Sequence, residues 1–270
     1  MKNKILNCLL EKKVAFFLCA FLIFAASITY FDTYKNEDFK NSFSGGILVE
    51  AHGMLMDIIV FGIVLTWYEK FTEDRNEIKR LHEEIDDYRR WDEPEAMYRI
   101  VGCIKRLNKK GVSRIELHET YLNGAVLSGV RLQNANLWAV RLEWAHLQGA
   151  NLQEADLHHA YLHGAFLQEA NLQGADLQLT NLEGADLQLT NLEGADLKGG
   201  DLRRADLRRA NLQEAHLQGA NLQEADLRGA NLQGAKIKNL EELAIINKVS
   251  IKKHKARLVE TDTEKYYEII

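Results

Sequence analysis

The stretch ADLQLTNLEGADLQLTNLEG, residues 175–194, contains the same ten residues twice in succession. Within it a leucine recurs at every fifth position, so the underlying unit is five residues long. This register runs without a slip from Leu122 to Leu232 and continues at Ile237, which makes (237 − 122)/5 + 1 = 24 units. Leu117 is the candidate start of a further unit, and the residue two positions before each leucine is small, most often alanine.

A period of five fits neither an α-helix nor a straight strand. On a helix, steps of five residues sweep around the cylinder, and on a strand they alternate between the two faces. The chain must therefore turn once in each unit. Alanine and leucine, two residues apart, then point inward together, and the polar residues between and after them face solvent. The repeat predicts a solenoid filled with leucine and alanine.

A second period of twenty residues indicates four units in each coil. Asparagine precedes the leucine at five positions spaced by twenty, where amides of successive coils can form a ladder. These are Asn151, Asn171, Asn191, Asn211 and Asn231. The units ADLQL, ANLQG, ADLRG and ANLQE resemble the pentapeptide-repeat family. The resemblance implies a right-handed quadrilateral β-helix of about six coils, assigned here to residues 112–239.

The first 67 residues predict a membrane hairpin behind a basic leader, residues 1–13. Residues 14–31 carry no charge and would form a helix about 27 Å long, close to the thickness of a bilayer core. A cleaved signal peptide is the alternative for this segment. Residues 47–67 form the second predicted span, although Glu50, His52 and Asp57 interrupt it.

Basic residues set the predicted orientation of the hairpin. They cluster before the first span and after the second, whereas the loop between the spans has an acidic excess. Positive residues stay on the cytoplasmic side. The prediction is therefore a multi-pass protein of the inner cell membrane with both termini in the cytoplasm.

Residues 68–111 predict two helices beside the solenoid. Heptad-spaced apolar residues continue the second span and suggest homo-oligomers through that span and the juxtamembrane helix. A second helix, with Asp92 as its N-cap and Gly111 at its end, offers an apolar face that can cover the open solenoid. Its apolar residues are Met97, Ile100, Ile104 and Leu107. Residues 240–270 predict a short cap, LEELAII, and a tail of no assigned structure.

The residue pattern favours no catalytic or cofactor site. A nucleophile or general base needs supporting groups in a pocket, and the repeat units from Leu117 to Ile237 have Ser128 as their one serine. His158, His159 and His163 lie on neighbouring corners without the further ligands of a metal site. The predicted protein is therefore not an enzyme, with no cofactor and no metal. With 34 basic and 39 acidic residues, it is not predicted to bind nucleic acid.

Two outward-facing groups are candidate contacts. Arg203, Arg204, Arg208 and Arg209 form either a collar paired with its own aspartates or a patch for an acidic partner. Outward aromatic residues near the predicted helices could cover those helices, which is the preferred interpretation, or bind another protein. They are Tyr121, Trp138, Trp144, Tyr161 and Phe166.

The leading functional hypothesis is a membrane-tethered, non-enzymatic scaffold that presents a rigid rod to unknown protein partners. One alternative comes from the family resemblance: a DNA-mimicking rod that protects topoisomerases. Another is a sensing or permeation role within the membrane, using Asp57, Glu50 and His52 of the second span. Asp57 lies near mid-span, where an ionisable group most needs a protein or water partner.

Overall fold

The computed structural model describes residues 43–238, 245–246, 255–260 and 265–270, with the side chains of residues 43–59 and 260 outside that description. Within these residues two helices precede the repeats, α1 (Phe43–Asp87) and α2 (Pro94–Lys109). Three short strands follow, β1 (Lys236–Ile237), β2 (Ala256–Glu260) and β3 (Lys265–Ile269). The chain divides into two compact units between Thr72 and Glu73, a boundary that lies within α1. The last part of α1 and all that follows it belong to the second unit.

The repeats form a β-solenoid with coils of twenty residues. Parallel bridges join each residue that precedes an inward leucine or isoleucine to the residue twenty positions later, from Glu116↔Asn136 to His216↔Lys236. Each coil therefore has four sides of five residues, and the predicted periods of five and twenty are both confirmed. We number the sides by their bridging residues in the first coil: Glu116 on side 1, Tyr121 on side 2, Val126 on side 3 and Arg131 on side 4.

A tight turn ends every side. In one example the N–H of Ala185 donates to the carbonyl of Leu182 at 3.0 Å, and Gly184 between them has φ 65°. A positive φ at the third residue is the mark of a type II turn, which glycine adopts without strain. Other corners use Glu, Arg or Leu at this position, as at Leu189 with φ 59°. The pattern of hydrogen bonds, rather than glycine alone, enforces the turn.

The inward positions make one continuous core. Leu182, Ala185 and Leu187 are fully buried, as the alternation of the repeat predicts. Burying a leucine side chain contributes about 1.5–3 kcal/mol, so the stacked columns carry much of the stability of the rod. Thr180 replaces an alanine in the core, and its hydroxyl donates to the carbonyl of Leu157 at 2.8 Å, which satisfies the buried oxygen.

The Asp or Asn before each leucine has a structural role that the sequence did not reveal. Its side-chain oxygen accepts the backbone N–H two residues later; for example, the N–H of Glu183 donates to Asn181 Oδ1 at 3.0 Å. This local bond satisfies an N–H at the corner. The predicted amide ladder is also present on side 4. Its steps Asn171–Asn191, Asn191–Asn211 and Asn211–Asn231 measure 3.2, 3.1 and 3.1 Å. Asn151 joins the same column through its backbone bridge to Asn171.

Helix α2 covers the first coil. Ile100, Ile104 and Leu107 are fully buried, and Met97 packs against the same core, which confirms the predicted apolar face. The predicted N-cap Asp92 is wrong. The helix begins at Pro94 after Glu93, which makes no side-chain capping bond, because proline presets the helical φ and needs no N–H partner in the first turn.

Asn108 joins this helix to the open edge of side 4. Its side-chain oxygen accepts the N–H of Arg131 at 2.7 Å, and its amide donates to the carbonyl of Arg131 at 2.8 Å. The amide of Asn108 thus takes the place of the peptide group that a preceding coil would supply. Leu81 and Ile85 of α1 are fully buried in the same core, so the heptad seam in this unit is occupied by the chain itself.

The predicted membrane location is wrong. Among the helices that the structure describes, neither is both long and apolar enough to cross a membrane, which overturns the multi-pass localisation with cytoplasmic termini. The second predicted span lies within α1, where Glu50, His52 and Asp57 interrupt the apolar run. A charged side chain at the bilayer centre costs about 2.5–3.5 kcal/mol. The first predicted span, 14–31, and the leader before it lie outside the described residues.

The tail forms a hairpin that closes the far end of the rod. Strands β2 and β3 pair antiparallel, and β3 also pairs with β1, which belongs to the last coil. Ile269 is buried, and its backbone N–H donates to the carbonyl of Ala235 at 2.8 Å. The tail left unassigned by the sequence is therefore the cap. Most of the predicted LEELAII helix lies outside the described residues, although Ile246 is buried in the core.

Candidate interaction surface

The three coils nearest α2 present aromatic side chains on two adjacent sides of the rod. Because residues twenty apart share a column, side 2 carries Tyr121, Arg141 and Tyr161, and side 3 carries Val126, His146 and Phe166. Trp144 and His163 lie at the corner between these sides. We refer to these eight residues as the aromatic surface.

The column on side 2 is a stack of two rings around a cation. The guanidinium carbon of Arg141 lies 5.0 Å from the ring centroid of Tyr121 and 5.2 Å from that of Tyr161. Such cation–π contacts contribute about 0.5–1 kcal/mol each at exposed sites. The stack fixes the position of all three side chains along the rod axis.

Trp144 is the most prominent side chain of the surface. Its backbone has φ 61°, which turns the side chain outward at the corner, and 56% of the residue is exposed. The indole lies over Gly164, where an added Cβ would come within 2.5 Å of the ring. The imidazole of His163 meets the indole edge-on, with centroids 5.3 Å apart. The absence of a side chain at Gly164 therefore makes room for the indole.

Side 3 completes the surface. The rings of His146 and Phe166 stack with centroids 4.8 Å apart and an interplanar angle of 13°. Val126 is exposed above them. Successive coils thus hold these rings at the spacing of neighbouring strands, so the surface is ordered before any partner arrives.

Three of the five predicted aromatic residues, Trp138, Trp144 and Tyr161, are exposed in the part of the chain that the structure describes, contrary to the preferred interpretation that they cover the helices. Tyr161 is 42% exposed, and Trp138, at the corner between sides 1 and 2, is also exposed. Helix α2 packs instead on the open end of the rod, through its own apolar face. Beyond the third coil the same two columns continue with polar residues, such as Asn181 and Asp186. The aromatic surface therefore has a definite boundary.

The predicted arginine patch is largely paired within the rod. Arg203 contacts Asp201 at 2.7 Å and Glu183 at 2.9 Å, and Arg208 contacts Asp206 at 2.6 Å. The hydrogen bond from Arg203 lowers the pKa of Asp201 below its ordinary value. These contacts favour the collar over the partner patch.

The other two predicted arginines lie at the corners beside this collar. Arg204 pairs with Glu224 at 2.8 Å, and Arg209 occupies a positive-φ corner position at 59°.

The remaining predicted site residues form no chemical centre in the described part of the chain. Glu50, His52 and Asp57 lie in α1, but their side chains are outside the described residues. The rings of His158 and His159 lie 4.4 Å apart, yet no group of three or more His, Cys, Asp or Glu among the described residues is arranged to hold a metal.

One further nucleophile is present in the described residues. Cys103 is buried, and burial raises the pKa of its thiol to about 11, which keeps it protonated.

Sequence reasoning identified the outward aromatic residues but missed Arg141 and His146. Both occupy columns defined by the twenty-residue period. Arg141 lies between Tyr121 and Tyr161, and His146 lies next to Phe166. The signal was present, because arginine between two tyrosines at this spacing predicts a stack once four units make a coil.

The comparison with known families agrees with this architecture. The profile described as pentapeptide repeats matches in eight copies over residues 113–149, 135–174, 167–204 and 205–239. None of the curated proteins compared with the chain matches it.

Solved structures of repeat proteins are also similar to the chain. Rfr23 from the cyanobacterium Cyanothece 51142 is 41% identical over 32% of this chain and 58% of its own length, with a TM-score of 0.32. HetL from Nostoc sp. strain PCC 7120, a protein involved in heterocyst differentiation regulation, is 33% identical over 46% of this chain and 74% of its own, with a TM-score of 0.21. QnrB1, a plasmid-mediated fluoroquinolone resistance protein, is 20% identical over 50% of this chain and 81% of its own length, with a TM-score of 0.25.

Proposed function

The chain belongs to the pentapeptide-repeat family, and we propose that it is a non-enzymatic interaction module whose rod presents the aromatic surface to a protein partner. The observation that supports this most directly is Trp144, which is 56% exposed and yet held in place by its neighbours. Tryptophan, tyrosine and arginine are the residue types most enriched among the energetically dominant contacts of protein interfaces. The aromatic surface contains all three.

Rigidity adds to the suitability of this surface for binding. The backbone beneath it is tied to the next coil by hydrogen bonds on every side, such as Trp144 N–H to His163 O at 3.0 Å. The side chains are further restrained by the Arg141 stack and by the pairing of His146 with Phe166. Association orders mobile side chains at about 0.5–1.5 kcal/mol each. A surface that is ordered in advance avoids part of this cost.

The side chains of the rod support binding rather than catalysis. Ser128 donates its hydroxyl to the amide oxygen of Gln148 at 2.8 Å, so it is oriented by an amide and not by a base. Several carboxylates of the rod accept corner N–H groups or pair with arginine, as Asp206 does with both the N–H and the guanidinium of Arg208. These carboxylates already serve the backbone and their ionic partners.

The alternative of a DNA-mimicking rod has weaker support. Residues 115–239 contain 16 acidic and 10 basic residues, a difference of −6. On side 3, where Asp206 and Asp226 align, Arg208 and Arg228 pair with them. A DNA-like surface requires a dense field of uncompensated negative charge, and these ion pairs reduce it.

The proposal is tested by site-specific photo-crosslinking in cells that express the full chain. A crosslinker replaces Gln148, beside the aromatic surface, or Gln213 on the far part of the rod. We expect a discrete adduct from the first position and none from the second. Trp144→Ala should reduce the adduct by about tenfold or more, since dominant interface residues contribute at least about 2 kcal/mol.

Two matched tyrosine variants separate binding from general damage. Tyr161→Ala should weaken the adduct, whereas Tyr98→Ala, on the exposed face of α2, should leave it unchanged. Equal adducts from both crosslinker positions, or an adduct insensitive to Trp144→Ala, would refute the proposed binding surface.

A further inference from the structure

The sheet at the C-terminal end of the rod has an outer strand whose far edge pairs with no other strand among the described residues. Its order is β1–β3–β2, with β1 in the last coil and β2 outermost within the described residues. The N–H of Ile270 donates to the carbonyl of Lys255 at 3.0 Å, which sets the alternation of the ladder. Lys255, Arg257 and Val259 therefore direct their backbone groups toward β3, and those of the intervening residues point away from it.

The outward backbone groups belong to Ala256, Leu258 and Glu260. The first two lie opposite Ile269 and Tyr267, on the face of the sheet that packs against the core. Ile269 is buried, but Leu258 at the margin of this face is 43% exposed. An apolar side chain and a row of hydrogen-bonding groups thus lie together at the same edge.

The usual protections of an edge strand are weak here. Proteins block such edges with proline, bulges or charged side chains. The pairing of β2 with β3 runs without a bulge from Ala256↔Ile269 to Glu260↔Lys265, and β2 has no proline. Of its two charged residues, Arg257 is paired with Glu268 at 3.0 Å, and Glu260 lies at the end of the strand. The edge is therefore able to accept another strand.

We infer that β2 pairs antiparallel with β2 of a second copy of this chain, around a two-fold axis at Leu258. The alternation of the ladder requires outward residues to form the hydrogen-bonded pairs, and an axis at Leu258 is the one that pairs Ala256, Leu258 and Glu260 with the same three residues of the second copy. Leu258 then faces Leu258 of the second copy, and Ala256 faces Glu260 of the second copy, twice by symmetry. Each of these three pairs exchanges two hydrogen bonds.

A second copy fits this edge because the edge is self-complementary. A two-fold interface requires the same patch on both chains, and a strand centred on its own exposed leucine meets that condition. The two Leu258 side chains cover each other and extend the apolar face formed with Tyr267. The aromatic surface lies in the first three coils, so pairing at the last coil leaves it accessible in both copies.

The mass of the full chain, measured by light scattering across a range of concentrations, tests this inference. We expect a concentration-dependent dimer. Leu258→Lys, which places two ammonium groups at the two-fold axis, should raise the dissociation constant by about tenfold or more. Leu258→Pro should do the same, because it removes an outward N–H and leaves the β2–β3 bonds intact. Leu258→Val should retain the dimer.

Disulfide trapping identifies the strand register. Under mild oxidation L258C should form a cross-linked dimer, whereas V259C, which faces the other side of the sheet, should not. The native cysteines are the same in both variants and in the wild-type control. Circular dichroism melting checks that each variant is folded. If Leu258→Pro does not fold, Leu258→Lys still tests the inference.

Three results would overturn the inference. The first is a monomeric mass at every concentration, which is also expected if β2 accepts a strand from a different protein. The second is a dimer that Leu258→Lys leaves unchanged, which would place the interface elsewhere. The third is equal cross-linking of L258C and V259C. None of these outcomes bears on the aromatic surface, so the two proposals are separable.

Discussion

Two leucines in the same unit give a direct measure of what holds the rod together. Leu187 is fully buried, whereas Leu189, two residues later at the corner, is 51% exposed. Substituting either with alanine removes the same three carbons. At about 0.8 kcal/mol for each buried carbon, the transfer term at Leu187 is about 2.4 kcal/mol. The cavity left in a ladder that cannot collapse adds to it, for a total of about 3–4 kcal/mol.

Leu189 has about half of that transfer term and leaves no cavity, so its substitution should destabilise by about 1 kcal/mol. Its backbone strain at φ 59° is the same for leucine and alanine. In a unit of this size 1 kcal/mol corresponds to about 2–4 °C in melting temperature. We therefore expect Leu187→Ala to lower the melting temperature by about 6–16 °C and Leu189→Ala by about 2–4 °C.

Circular dichroism melting of the two full-length variants beside the wild type measures both shifts. Adjacent coils unfold together in repeat proteins, so the melting midpoint is a safer quantity than an extrapolated free energy. Equal shifts for Leu187→Ala and Leu189→Ala would show that inward and outward positions are assigned incorrectly. A larger shift for Leu189→Ala than for Leu187→Ala would show that Leu189, and not Leu187, points into the core.

Other predictions concern the corner, the cap and the ion pairs. Gly164→Ala should lower the melting temperature more than Gly184→Ala. Both glycines have positive φ, but an added Cβ meets the Trp144 ring at 2.5 Å only at Gly164. In a Trp144→Ala background the two substitutions should therefore have equal effects. Asn108→Leu should destabilise the cap by about 2–4 kcal/mol, seen as faster amide exchange in the first coil than in the last, because it leaves buried backbone groups unpaired. The pKa of Asp201 is lowered by its arginine partner, so its stabilisation is present above the ordinary pKa of 3.8 and lost as pH falls through the lower folded value. The melting temperatures of wild type and Asp201→Asn should therefore differ at pH 7 and converge in acid.

The architecture of the rod was readable from the sequence because each unit repeats the same local information. The spacing of Leu122 and its successors gave the turn at every fifth residue, and the asparagine column gave the coil of twenty. The same twenty-residue period places Tyr121, Arg141 and Tyr161 in one stack. The period could not predict whether these side chains are exposed, because that depends on where α2 packs and not on the repeat.

The two ends of the chain were less predictable for different reasons. The residues of β2 and β3 have no repeat, and their pairing depends on the free edge of the last coil near Ala235, a contact distant in sequence. The heptad pattern through Leu81 and Ile85 indicated a buried seam but not its partner, which is the core shared with α2. Apolar length alone likewise suggested membrane spans, although the described helices do not meet the requirement.

The four-sided coil imposes two different rules on changes in the length of the chain. Gain or loss of five residues preserves the stacking of leucine on leucine but rotates everything beyond it by a quarter revolution. A gain of twenty restores every column and moves the far end by about 4.8 Å, one strand spacing. Each copy of the decapeptide in residues 175–194 is a half revolution, so Leu179 and Leu189 lie at diagonally opposite corners. The interior accepts any whole number of units, whereas the angle between the aromatic surface and the terminal hairpin is kept only by whole coils.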